Sequence, residues 1–343
     1  MTMQIEELWK SLEADAVTGK TAASGWLLRL VKPAAACPLF LGLELSSRRR
    51  AIMLRLSPTS MPSRRLWPRS KGLESFAISI EKAPHFGVCL KESRYADVFT
   101  ALTEDLARRV TESASPSAQA RAFLGQLTRW QKFLSASSEG LGEQEQRGLW
   151  GELYLLRELL LPAFGPAAVH SWKGGERAHQ DFQMNSGAVE VKITLAKQPQ
   201  IVRVTSERQL DDNTLPALFL NVTALDQREN GETLPAIVAS LRAKLISDAS
   251  AQEQFEDELL AAGYLDAHSL RYAERGYTVR VVNFFRVAKG FPRLVEADMP
   301  TGTGDANYAL NVSACERFRV KGMDVIAALA TKQKNGLKRR KRV

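Results

Sequence analysis

Apolar residues come first in short runs, then at helical spacing. After an amphipathic opening that predicts a short helix over about 3–16 come WLLRLV (26–31), LFLGLEL (39–45), AIMLRL (51–56), FAISI (76–80) and GVCLK (87–91). Short apolar runs separated by Pro, Gly and Ser clusters predict strands, and five in succession predict an antiparallel β-rich module. Two helices are expected to close it. In the second, Ser115 is a natural N-cap, Pro116 takes the first helical position, and Phe123, Leu127, Trp130 and Leu134 recur on one face. The Ser- and Gly-rich stretch SASSEGLGE (135–143) marks a boundary, giving a β-rich N-terminal domain over 1–138 and a second domain over 139–331.

In the second domain the order becomes helix, strands, helix, strand, which is α/β (α+β) in character. A helix near 144–161 places Leu149, Leu153, Leu156 and Leu160 on one stripe with Glu152 at its edge. Strand-like runs follow at 169–172, 179–184, 188–194 and 200–206, then the strongly apolar LPALFLNVTAL (215–225). Leu234, Ile237, Val238, Leu241 and Leu245 predict a helix over about 233–247, with a more polar helix over about 250–262 after it. YTVRVVNFFRV (277–287) reads as a buried strand, GTGD (302–305) as a turn, and ALNVSACERFRV as one more strand. No internal repeat is visible.

Successive strand residues face opposite sides, so in AVEVKIT (188–194) Glu190, Lys192 and Thr194 share one face and Val189, Val191 and Ile193 the other. The apolar face can pack on the helix carrying Glu152. MNSG (184–187) is a natural tight turn to the run HQDFQM (179–184), which presents Asp181. Carboxylates gathered without a counter-charge repel one another, so such a cluster usually holds a cation. Oxygen ligands suit Mg²⁺ or Mn²⁺, which keep waters and accept substrate phosphate oxygens. Read without a partner, the same strand is an ordinary amphipathic one with Glu and Lys on a wet face.

The stretches GLWGELYLLRELLLP (148–162), HQDFQM and AVEVKIT, in that order and spacing, resemble the PD-(D/E)XK nuclease superfamily. They are closer still to a bacterial PD-(D/E)XK family found beside restriction and phage-defence genes. The resemblance covers roughly residues 140 to 225. It implies a restriction-endonuclease-like core with a mixed central sheet flanked by helices. It also implies Glu152, Asp181, Glu190 and Lys192 as the catalytic set. Asp181, Glu190 and the Val191 carbonyl would bind Mg²⁺ or Mn²⁺, and Glu152 would complete the metal's surroundings. Lys192 would orient the attacking water and offset charge on the phosphate. The superfamily's proline is missing, because Gln180 precedes Asp181. His179 either contacts substrate or caps the strand, and Thr194 would be a further candidate substrate contact. Ser206 and Gln209 resemble polar residues that related nucleases use near the scissile phosphate, although Ser206 equally suits a helix start.

At 343 residues the chain is long enough for two cores, and 45% hydrophobic with 25% charged residues is a globular composition. The opening MTMQIEELWKSLEADA predicts no secretory leader, and no apolar stretch nears the roughly 18 residues that span a bilayer. Cys37, Cys89 and Cys315 are scattered and odd in number, which fits a reducing cytoplasm. Of the net charge of +9, seven units fall in the tail 332–343, on Lys332, Lys334, Lys338, Arg339, Arg340, Lys341 and Arg342, leaving the body nearly neutral. That tail is either a phosphate-attracting arm or a solubilising terminus. A second basic run, Arg48, Arg49, Arg50, Arg55, Arg64, Arg65, Arg69 and Lys71 around Trp67, is either a DNA-contacting surface or a solvated hairpin loop.

Other motifs fail. Gly19-Lys20-Thr21 has Ala14 where a phosphate-binding loop needs glycine, and its lead-in is helical. His85, His170, His179 and His268 are too scattered for a zinc hydrolase. The expectation is a cytoplasmic Mg²⁺-dependent DNA endonuclease of a restriction or phage-defence system. Residues 1–138 would serve recognition, and a motor ATPase, a methyltransferase or a second copy of the chain would be possible partners. The alternative is a catalytically silent nucleic-acid-binding or assembly subunit.

Overall fold

The computed structural model describes residues 5–32, 37–67, 72–112, 115–136, 140–174 and 178–331. Arg69, Lys71 and the basic tail, including Lys338, Arg339, Arg340, Lys341 and Arg342, lie outside the described residues. Two compact units emerge, one within Met1–Gly140 with Leu265–Ala267, the other within Leu141–Tyr264 with His268–Val343.

In the first unit, α1 (Ile5–Val17) buries Ile5, Leu8, Trp9, Leu12 and Ala16, the three- and four-residue spacing of one helix face. Gly19, at a φ of 80°, follows its end, and Lys20 pairs with Asp15 at 2.6 Å. The residues that imitate a phosphate loop therefore finish a helix. Five strands follow: β1 (Trp26–Lys32), β2 (Leu39–Glu44), β3 (Arg50–Arg55), β4 (Leu73–Ile80) and β5 (Ala83–Leu90). They form an antiparallel sheet in the order β1-β2-β3-β5-β4. After it come α2 (Ala96–Glu112) and α3 (Pro116–Ala136), joined across their interface by Asp105, which accepts the Trp130 indole N–H at 2.8 Å.

The second unit is built on a mixed sheet. Its first helix, α4 (Glu143–Leu155), widens into a π turn over Leu156–Leu160 before α5 (Leu161–Phe164). Pro162 lacks the N–H that would bond the Glu158 carbonyl, and its ring excludes that carbonyl, so the regular ladder cannot continue there. Then come β6 (Phe182–Met184), β7 (Gly187–Thr194), β8 (Ile201–Val204), β9 (Leu218–Arg228) and β10 (Glu232–Thr233). The chain ends through α6 (Leu234–Leu245), α7 (Ala249–Ala261), α8 (Ser269–Tyr272), β11 (Gly276–Val287), β12 (Tyr308–Asn311), β13 (Arg319–Val320) and α9 (Gly322–Ala330). The sheet runs β10-β11-β9-β7-β6 with β13 added on β11, and β8 pairs with β12 separately. Among the described strands only β7 and β9 are parallel, Glu190 lying beside Leu220 and Lys192 beside Val222. The α+β class with a mixed sheet is the one expected.

Both faces of this sheet are covered. Val189, Val191 and Phe219 join the leucines of α4 and α6 in one apolar cluster, while Ala188, Leu218, Leu220 and Val222 join Val202, Val204, Leu310 and Phe285 in another. The second cluster puts Glu190 on a covered face, only 1% exposed, so the wet-face reading of this strand does not hold. Residues 169–172, expected as strand, are instead a 3₁₀ turn (Pro166–Ser171), with Trp172 making a single bridge to Phe182. Pro166 follows Gly165 at a φ of 67°, which turns the chain before a strand can start. ALNVSACERFRV is likewise not one strand: β12 and β13 are separated by a 3₁₀ segment, Val312–Phe318. Cys37, Cys89 and Cys315 are buried free thiols. Among the described residues no helix is long and apolar enough to cross a membrane.

Candidate functional site

The site forms where β6 gives out. β6 pairs with β7 only from Gly187 to Val189, so beyond that point the β7 edge has no strand partner among the described residues. Asp181, the residue before β6, takes up this edge, its Oδ2 accepting the Val191 N–H at 2.7 Å. Its own carbonyl accepts the Lys173 N–H at 2.8 Å, which fixes the segment from the other end. In a strand the N–H and C=O of one residue leave by the same edge, so the Val191 carbonyl opens onto the gap that Asp181 occupies.

Glu152 arrives from the helix face. Gly151 sets the depth, because a Cβ there would run into the Cγ1 and Cδ1 of Ile193 on β7. Without a side chain at that turn, α4 lies close enough to β7 for Glu152 to reach the site. The carboxylate then accepts the indole N–H of fully buried Trp172 at 2.8 Å. Gly174 passes so near that any side chain would strike both Glu152 Oε2 and Trp172 Nε1. Gly151→Ala is expected to destabilise the protein by about 1–3 kcal/mol through overpacking. Adding Ile193→Ala should recover part of that loss, which chemical denaturation of the two single variants and the double variant would show.

From the opposite face Lys192 Nζ lies 2.6 Å from Glu190 Oε1 and donates to Gln209 Oε1 at 3.1 Å. The ammonium and the Asp181 N–H both ease the Glu190 charge, but neither contact has the geometry of a full hydrogen bond, so this buried carboxylate is only partly satisfied. Burial, then the neighbouring Asp181 charge, pushes the Glu190 carboxyl up to about 8. Burial likewise raises Asp181. Glu152 is driven well above the usual carboxylate range by burial, then by the Asp181 charge. Burial alone would lower Lys192, but Glu190, Asp181 and Glu152 together hold its ammonium above the ordinary lysine value. Glu152 and Asp181 are half-buried residues, and Glu190 is fully buried beside them.

Three carboxylates thus share one lysine among the described residues that act on all of them. Such a deficit of positive charge around a buried, only partly satisfied carboxylate suits a divalent cation. Among the described residues no group of three or more His, Cys, Asp or Glu side chains is close enough to hold a metal by itself. The fit is therefore to an ion taking two carboxylates, a carbonyl and waters, which is how Mg²⁺ and Mn²⁺ are commonly held.

The other expected site residues fall on several elements. Thr194 is buried, and its Oγ1 accepts the Ala196 N–H at 3.1 Å, finishing β7. Ser206 is the N-cap of a 3₁₀ helix (Glu207–Leu210), accepting the Arg208 N–H at 3.2 Å, so the helix-start role is the one it has. Gln209, on that helix, joins the site through Lys192. His179 and His170 are exposed. In the first unit Arg49 is engaged by Glu44 at 2.9 Å and Glu74 at 2.7 Å, the two acids that bracket the basic run. Arg50 pairs with Glu13 at 2.8 Å and lies over Trp9. Trp67 donates to the Pro62 carbonyl at 3.1 Å and packs on Phe86. Arg48, Arg64 and Arg65 are exposed.

Trp172, Gly174 and Gln180 were not legible as site residues. Trp172 sits in a run that reads as strand, and Gln180 registers only as the absence of a proline. A signal did exist for Trp172: an indole ten residues before β6 begins has a donor that burial obliges to find an acceptor.

With this geometry in place, the comparisons add one match. A family model described as "Putative PD-(D/E)XK family member, (DUF4420)" covers residues 5–313. Neither the curated proteins nor the solved structures contain a match to the chain.

Proposed function

Because the chain belongs to that PD-(D/E)XK family, we propose that it is a divalent-metal-dependent endonuclease acting on DNA. The observation that carries this reading is the buried Glu190 carboxylate, set beside Asp181 and Glu152 with Lys192, 2.6 Å from its Oε1, as the one cation among the described residues that acts on all three. Asp181, Glu190 and the Val191 carbonyl would hold Mg²⁺ or Mn²⁺, with Glu152 completing the set from the helix side. Such an ion, when bound, supplies Lewis-acid polarisation of a phosphate and a more acidic water.

The chain's own groups do the rest. Asp181 keeps the β7 edge open and the Val191 carbonyl turned into the site. Lys192, held between Glu190 and Gln209, directs its N–H donors to the attacking water and to the charge that grows on the phosphate. Trp172 and Gly174 hold Glu152 in one orientation. Exposed Arg48, Arg64 and Arg65 of the first unit offer forks for backbone phosphates. That unit would recognise the target or a partner, and the system served is restriction or phage defence. A second copy of the chain would supply the second site that two cuts on a duplex require, and a motor ATPase or a methyltransferase of the same system would be a further partner.

The test is incubation with supercoiled plasmid and with phage DNA, in Mg²⁺, in Mn²⁺ and in EDTA. Nicking or linearisation with either metal, abolished by EDTA, is expected. Salt-sensitive DNA binding without any cutting would instead support a silent binding or assembly subunit.

A further inference from the structure

Gln180 stands where the superfamily has a proline, and it does what a proline could not. It is 5% exposed, and every polar atom of its amide is used. Nε2 donates to the Arg208 carbonyl at 2.9 Å and more weakly to the Gln209 carbonyl at 3.4 Å, while Oε1 accepts from Gln183 Nε2 at 3.0 Å. The residue next to the Asp181 carboxylate is thereby tied to the 3₁₀ turn that carries Gln209.

Gln209 is fixed at its other end as well. Its Oε1 accepts the Thr205 N–H at 2.9 Å, the Thr205 hydroxyl at 3.3 Å and the Lys192 ammonium at 3.1 Å. A backbone N–H and an ammonium can only donate, so the oxygen of this amide must point at them and a flipped orientation is excluded. Glu190 and Gln209 are then the two groups that hold Lys192 Nζ. If a cation takes the Glu190 oxygens, Gln209 is the one left.

We propose that Gln180 is a positioning residue, acting through the 207–210 turn and Gln209 to fix the Lys192 ammonium relative to the Asp181 carboxylate. Its importance for catalysis rests on the nuclease reading; its hold on Lys192 does not. One segment thus supplies a metal-binding carboxylate and, through two glutamine amides, the alignment of the lysine on the neighbouring strand. A proline in this place has no side-chain amide to donate to the Arg208 carbonyl.

The test labels lysines of the metal-free protein with a reductive methylation reagent and reads Lys192 by peptide mass spectrometry. The proteins compared are the native chain, Gln180→Met, Gln209→Met, the double variant, and Ser186→Ala as an unrelated control. Each single glutamine variant should speed labelling of Lys192 by about threefold to tenfold, the worth of one hydrogen bond, and the double variant should be no faster than Gln209→Met alone. Ser186→Ala should match the native chain. If Gln180→Met does not melt cooperatively, Gln180→Glu replaces it, keeping the acceptor for Gln183 and losing the donor to Arg208.

Native labelling in the Gln180 variant beside fast labelling in Gln209→Met would overturn the proposal. So would effects that multiply in the double variant. Where the native chain cuts DNA, the same variants should lower kcat with DNA affinity retained, again without adding. Should the native chain not cut, the nuclease reading fails, and the labelling pattern still decides whether Gln180 positions Lys192.

Discussion

Lys192→Ala is expected to reduce metal-dependent DNA cleavage by on the order of a hundredfold to a thousandfold or more, the usual cost of losing one preorganised donor to transition-state charge. DNA binding should change little, because one recessed ammonium is a small part of a phosphate-contacting surface. The size of the effect follows from the surroundings. Lys192 is 14% exposed, 2.6 Å from one carboxylate, and the cation common to Glu152, Asp181 and Glu190. Water cannot readily replace a charge held so deeply. Lys192→Arg should not restore activity, since the planar fork differs in length and donor directions from a compact ammonium. Single-turnover cleavage with a parallel binding isotherm separates the two effects. Equal loss of binding and cleavage would assign Lys192 to general phosphate attraction.

Glu190→Gln should have the opposite effect on folding, making the metal-free protein more stable while it removes function. In the folded state the Glu190 carboxyl titrates at about 8, above the ordinary glutamate value that the unfolded chain retains. The folded protein therefore binds the proton more tightly than the unfolded one. This contribution to stability is fully present below the unfolded value and is lost as pH rises through about 8. The lost amount is on the order of a few kcal/mol. Glutamine keeps the shape and carries no charge to bury. The melting temperature of Glu190→Gln should thus exceed that of the native chain by a margin that widens from about pH 6 to about pH 9. Mn²⁺ should raise the native melting temperature and narrow the gap. A variant less stable than the native chain throughout that range would make Glu190 a structural ion-pair partner of Lys192.

Much of this was visible in the residue pattern. Alternation in AVEVKIT placed Glu190 and Lys192 on one face, and Val189 and Val191 do pack with the α4 leucines. The strands of the first unit and the helices with Leu234 and Ile237 or Phe123 and Trp130 on one face were legible because burial imposes a period. What escaped depends on contacts far apart in sequence. The cover on the Glu190 face comes from Val202, Val204 and Leu310 of the separate β8–β12 pair, and no local pattern shows that it reaches back over β7. The Trp172 bond to Glu152, and the two amides between Asp181 and Lys192, are single side-chain contacts without periodicity. Arg49 and Arg50 illustrate the same limit: their charges invited a phosphate, while Glu74 and Glu13, 25 and 37 residues away, already engage them.

The most direct test of the central claim, that these carboxylates form a divalent-cation site, is calorimetric titration of the metal-free protein with Mn²⁺, beside Asp181→Asn and Glu190→Gln. Saturable uptake by the native chain, accompanied by proton release near neutral pH and lost in both variants, is the predicted result. No uptake by the native chain, or uptake unchanged in Asp181→Asn, would contradict the account.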